Sequence, residues 1–181
     1  MGSNDTNGVR TPLPRGARLA PRAAAPGPAA APPAAPASPA PVASPGVPVR
    51  FPWKPEYGLG DERIDGQHRM LLDLANLLCD AIRRGKGRAV VMNAFNALRL
   101  YTNTHFRDEE AHFAQIGSPL LDAHRREHGT LLRELNALAA DDVADRPAQA
   151  ADALERWVET RLVAHMKIED QEAQRSGTAR G

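Results

Sequence analysis

Between Ile64 and Ile168, apolar residues recur at steps of three and four in four separate runs, and each run carries a histidine on its apolar side. The first stripe passes through Ile64, His68, Leu71, Leu72, Ala75, Leu78 and Ile82. The second passes through Val91, Ala94, Phe95, Leu98, Tyr101, Thr102 and His105, and the third through Leu121, His124, His128, Leu131, Leu135 and Leu138. Leu154, Trp157, Val158, Leu162, His165 and Ile168 form the fourth. Spacing of this kind marks one buried face per helix. Breaks fall at Gly85 and Gly87, at "GSP" (117–119) and at "DDVADRP", so the third helix is expected over about 120–140 and the fourth over about 148–171. No segment alternates with a period of two, and strands are not expected. Helices of roughly 30–37 Å joined by short loops predict an all-α, antiparallel up-down-up-down four-helix bundle, because a short loop forces its two helices to run in opposite directions.

Five of the six histidines lie on those buried stripes. A lone histidine there is ordinarily a hydrogen-bonded core residue. Five converging in one small bundle cannot all satisfy one another, and a metal ion removes the difficulty because neutral imidazole is a good ligand for iron, zinc, copper or nickel. The spacings agree. "HRREH" sets His124 and His128 one helical turn apart on one face, and "HFRDEE" does the same for His105 and Glu109. "HMKIED" adds His165 and Asp170, and the first helix adds His68. Five imidazoles and two carboxylates exceed the four ligands of a structural zinc, whereas two metals sharing the carboxylates use them all. The ferritin-like alternative, with its paired Glu-x-x-His motifs, is not written here. His112, two turns beyond His105 on the same stripe, is expected outside the metal shell. Glu110 is expected on the surface or behind a ligand, and Asp65 and Gln67 are expected to cap or support the first helix near His68.

Composition divides the chain. Fourteen of sixteen prolines lie in residues 1–55, many within a run of Ala, Pro, Gly and Ser that lacks the apolar surface to offset the entropy of ordering. Residues 1–50 are expected to be a disordered tail, 51–175 the bundle, and 176–181 a flexible end. The tail carries five arginines and one aspartate, which leaves a mildly acidic domain with no basic stripe and argues against a nucleic-acid partner. Prolines interrupt every candidate signal-peptide core, and no stretch approaches the roughly 20 apolar residues of a membrane span. A soluble, cytoplasmic, monomeric protein with no membrane partner is expected. The single cysteine, Cys79, excludes an intramolecular disulfide and is expected as a buried, inert thiol.

The segments "YGLGDERIDGQH", "HFRDEE", "HRREH" and "HMKIED", in that order and separated by helix-length gaps, resemble the hemerythrin family in its bacterial single-domain form. The resemblance covers about residues 53–172. It implies a hydroxo- or oxo-bridged pair of irons, with His124, His128 and His165 on one and His68 and His105 on the other. It further implies that Glu109 and Asp170 bridge the two, that dioxygen binds at an open position on the two-histidine iron, and that Leu162 caps the oxygen pocket. In place of a tryptophan common in the family, this chain has Arg161, expected at the rim, with Trp157 a turn earlier. The function implied is reversible oxygen binding for storage, delivery or scavenging, without turnover of a substrate. Two other classes compete: an oxygen or redox sensor acting through an unknown protein partner, and a di-iron enzyme handling peroxide or nitric oxide. The first lacks a fused output domain, and the second lacks an acid or base beyond the ligands.

Overall fold

The structure is a computed structural model and describes residues 49–138 and 146–179. A single 3₁₀ turn (Pro55–Tyr57) precedes three long helices: α1 (Glu62–Arg83), α2 (Arg88–Gln115) and α3 (Leu121–Leu138). The fourth rod is composite. It consists of α4 (Pro147–Trp157), a π-helical turn (Val158–Leu162), α5 (Val163–Lys167) and α6 (Glu169–Thr178). These rods pack as a four-helix bundle, with α1 against α2 and α4, α2 against α3, and α3 against α4. Apart from residues 49 and 50, the expected tail lies outside the described residues, as do residues 139 and 140 of the expected third helix and residues 141–145 of the loop that follows it, while Pro147, expected in that loop, opens α4. No described helix is long and apolar enough to cross a membrane.

Local chemistry sets the helix ends. Asp61 caps α1 by accepting the Ile64 amide at 2.9 Å, which satisfies one of the donors left free in a first turn. α1 and α2 stop the same way. Gly85 and Gly117 take φ of +61° and +67°, a region that favours glycine. The amides that follow turn back onto the last helical carbonyls: Lys86 onto Ala81 at 3.0 Å, and Ser118 onto Phe113 at 2.9 Å.

The sequence stripes meet in one apolar cluster that includes Leu71, Leu78, Leu98, Phe106, Leu131, Leu135, Leu154 and Leu162. Cys79 is among them, its thiol pushed up to about 12 by burial and by the nearby Glu155 charge. Ahead of α1, the arm is tied down by Asn76, whose carboxamide accepts the amides of Arg50 (2.8 Å) and Phe51 (3.0 Å) and donates to the Phe51 carbonyl (3.2 Å).

The fourth rod departs from the expected uninterrupted helix. In a straight α-helix Asp170, five residues after His165, would sit about 140° around the axis from it. Instead the backbone breaks at Ile168 (φ −114°, ψ −67°), which turns Asp170 inward and expels Ile168. Ile168 was expected on the buried stripe and is 58% exposed. Beyond it α6 continues through Ser176, Gly177 and Thr178, residues expected as a flexible end, and Gly177 is buried. A Cβ on Gly177 would meet the Ile116 side chain at 2.6 Å and its carbonyl oxygen at 3.1 Å. Gly→Ala inside a helix is ordinarily stabilising by up to about 1 kcal/mol, but this overlap costs about 1–3 kcal/mol. Gly177→Ala is therefore expected to lower the denaturation midpoint in urea, with an unchanged slope.

Candidate metal centre

All four rods deliver side chains to one place. α1 supplies His68, α2 His105 and Glu109, α3 His124 and His128, α5 His165 and α6 Asp170, and none is more than 4% exposed. Their donor atoms form two groups, each gathered within 4.8 Å: Glu109, His124, His128, His165 and Asp170 in one, and His68, His105 and Glu109 in the other. Glu109 belongs to both. Its Oε2 lies 3.2 Å from the Nε2 of both His124 and His128, while its Oε1 faces His68 Nε2 at 3.5 Å. Asp170 also faces two ways, with Oδ1 at 3.0 Å from His165 Nε2 and 3.3 Å from His124 Nε2, and Oδ2 at 3.5 Å from His68 Nε2.

These contacts are what a metal site requires. His128 Nε2 and His165 Nε2 are 3.0 Å apart. Two bonds of about 2.1 Å meeting at a right angle on one ion separate their donor atoms by about 3 Å. His68 Nε2, Glu109 Oε1 and both Asp170 carboxylate oxygens are buried with no hydrogen-bond partner. A buried polar atom left unpaired costs about 1–3 kcal/mol, so several together on one spot call for a cation.

The electrostatics agree. Burial lowers the pKa of His165, but the carboxylates of Asp170, Glu109 and Glu169 outweigh it and raise it to about 9. His68 is raised in the same manner, burial being overcome mainly by Glu109 and Asp170. Burial drives His105 well below its ordinary value, helped by the neighbouring imidazoles and opposed by Glu109. Burial would raise Glu109, but the surrounding histidines hold it well below the usual carboxylate range. At His68 and His165 the cluster thus stabilises positive charge beside Glu109, which a divalent ion supplies more fully than protons do.

Behind the donor atoms stands a supporting layer. Tyr57 offers its backbone carbonyl to His68 Nδ1 at 2.8 Å, Gln67 Oε1 lies 3.2 Å from His105 Nδ1, and Glu110 Oε1 accepts from His128 Nδ1 at 2.8 Å. Gln67 is in turn fixed by Asp108 Oδ2 at 2.8 Å, which Arg63 approaches at 3.2 Å. Such partners set which ring nitrogen points inward. Gln67 therefore supports His105, on α2, rather than the start of its own helix. Asp65 accepts the Leu59 amide at 2.6 Å, and the cap role falls to Asp61. Phe106 lies flat on His128, centroids 3.8 Å apart and planes 4° from parallel. The stripe pattern passed over Phe106, and a backbone carbonyl such as that of Tyr57 leaves no mark on a side-chain pattern.

The remaining expected residues are placed as follows. His112 stands apart from both donor groups, bonded through Nε2 to Gln174 at 2.8 Å. Leu162 is fully buried in the apolar cluster with Phe106 and Leu98. Arg161 spans the rim to α3, where Glu134 and Glu127 each hold its guanidinium at 2.8 Å; Trp157 Nε1 donates to the same Glu134 at 3.1 Å. Between this bridge and α6, beside His124, lies a cleft of about 360 Å³ bordered by Glu127, Arg161, Glu169 and Glu172.

Four antiparallel rods around buried imidazoles and two buried carboxylates, one of them common to both donor groups, define a helical-bundle cation-binding domain. The sequence profile of the hemerythrin HHE cation binding domain matches residues 59–175, and the chain belongs to that family. It is similar to the bacteriohemerythrin of Ralstonia nicotianae, with 31% identity over 124 residues that cover 61% of this chain and 87% of the relative. It also resembles the bacteriohemerythrins of Pseudomonas paraeruginosa, at 29% over 123 residues (65% and 75% covered), and Clostridium acetobutylicum, at 28% over 96 residues (51% and 74%).

Proposed function

We propose that the chain binds dioxygen reversibly at a pair of irons held by His68, His105, Glu109, His124, His128, His165 and Asp170. The reading is carried by one observation: seven buried donor side chains in two groups with a carboxylate in common. His124, His128 and His165 serve one iron and His68 and His105 the other, with Glu109 and Asp170 facing both. The His68–His105 side would offer its iron one protein donor fewer than the other side, leaving room there for an external ligand. When bound, the iron pair would supply the electrons that hold oxygen.

The protein's own contribution is orientation and dryness. Tyr57 and Gln67 hold the outer nitrogens of His68 and His105, so that each presents Nε2 inward. Leu162, Leu98 and Phe106 form part of a water-excluding core, and a dry wall disfavours the proton entry that would strand oxidised iron.

The test is spectroscopic. Anaerobically reduced, iron-loaded protein should develop a visible absorption band on exposure to oxygen, lose it on deoxygenation and regain it over repeated cycles. Bleaching or permanent oxidation at the first pulse would sink this reading, and rapid consumption of added peroxide would replace it with an enzymatic one.

A further inference from the structure

Three of the clustered histidines have their outward nitrogen engaged: His68 by the Tyr57 carbonyl, His105 by the Gln67 carboxamide and His128 by the Glu110 carboxylate. His165 differs. Its Nδ1 is buried without a hydrogen-bond partner in a side chain that is 2% exposed. One turn further on, Glu169 Oε2 is likewise buried and unpartnered, and the two atoms lie 3.9 Å apart. That is about 1 Å beyond a charge-assisted hydrogen bond. One contact would satisfy both orphans. The geometry permits it, because Glu169 follows the backbone break at Ile168 and borders the cleft beside His124, where its side chain has room to turn.

We propose that, in the metal-loaded protein, Glu169 accepts the Nδ1–H of His165 and acts as a positioning residue for the three-histidine metal; this rests on the two-metal reading above. The consequence is an asymmetry between the metals. His128 and His165 would both be backed by carboxylates, Glu110 and Glu169, whereas His68 and His105 are backed by neutral oxygens from Tyr57 and Gln67. A carboxylate behind an imidazole makes the ring a stronger donor and favours the more highly charged state of the ion it binds. The three-histidine metal would thus be held more tightly and oxidised more readily than its neighbour.

The experiment compares wild type with Glu169→Ala, Glu169→Gln and Glu172→Gln. Glu172 borders the same cleft without facing an imidazole, and so controls for loss of a nearby charge. Two quantities are read on purified protein: retention of ferrous iron against a competing chelator, and the reduction potential of the iron-loaded centre. Glu169→Ala should weaken retention of one of the two irons about 10–100-fold and raise the potential. Glu169→Gln keeps an acceptor but not the charge, so it should restore much of the retention while leaving the potential raised. Glu172→Gln should match wild type in both. The proposal is overturned if Glu169→Ala stays within twofold of wild type at an unchanged potential, or if Glu172→Gln reproduces its effects. Wild type that holds two irons and is indifferent to Glu169→Ala overturns this inference alone; wild type that holds no iron overturns the two-metal reading with it.

Discussion

Glu109→Ala should reduce iron from about two per chain to nearly none, while His112→Ala should leave the content unchanged. Glu109 is the residue common to both donor groups, and its two oxygens face His68 on one side and His124 and His128 on the other. On the proposed two-metal reading, removing it would take a shared anionic ligand from each metal at once. It also leaves imidazoles whose positive character Glu109 had balanced, so the two losses compound rather than add. His112 is the matching control: a histidine on the same helix, seven residues after His105, that reaches neither group. Metal analysis of the purified variants decides the matter. A Glu109→Ala protein that still held two irons would refute the shared-carboxylate assignment.

The second large effect concerns stability. Stripping the metals should lower Tm by about 10 °C or more, since a ligand present at 1,000 times its Kd contributes about 4 kcal/mol to the state that binds it. The stripped chain also keeps the unpaired atoms on His68, Glu109 and Asp170 inside the bundle. A pH dependence should appear at the same time. Metal-free His165, at about 9, lies above its ordinary 6.5. A group raised in the folded state contributes fully below the unfolded pKa, and that contribution is lost as pH rises through the folded one. The stripped protein should therefore melt lower at pH 9.5 than at pH 6.5. The loaded protein should show much less of this change, because the metal takes the place of the proton at Nε2. Paired calorimetric scans with and without chelator test both parts, and coincident Tm values would contradict them.

Much of this architecture was legible in the residue pattern, for a physical reason. A three- and four-residue step is the helix's own period, so a histidine lying on it is committed to the interior before any packing is known. His68, His105, His124, His128 and His165 could be picked out on that basis, and the structure brings them together with Glu109 and Asp170. The pattern failed where the period itself failed. Ile168 was assigned to the inside because a constant 100° advance was assumed, and the π turn and the backbone break change that advance. The supporting layer was harder still. Gln67 was noticed, but its partner is on another helix, and the His165–Glu169 pair, although one turn apart like the pairs that were singled out, was passed over because Asp170 was taken as the inward carboxylate of that segment.

Tyr57 reaches the metal cluster through the main chain, and this bears on how the unit could be cut or transplanted. The helices alone hold all seven donor side chains, so a fragment starting at Glu62 would look complete by inventory. It would discard the carbonyl that aims His68, the Asn76 clasp on residues 50 and 51, and Trp53, whose ring lies 6.4 Å from the His68 ring. A graft into another protein should therefore begin at about residue 50 rather than at the first helical residue. The same anchorage offers a mechanical handle: tension applied ahead of Arg50 would reach Asn76 first, and then, through Tyr57, the tilt of one imidazole.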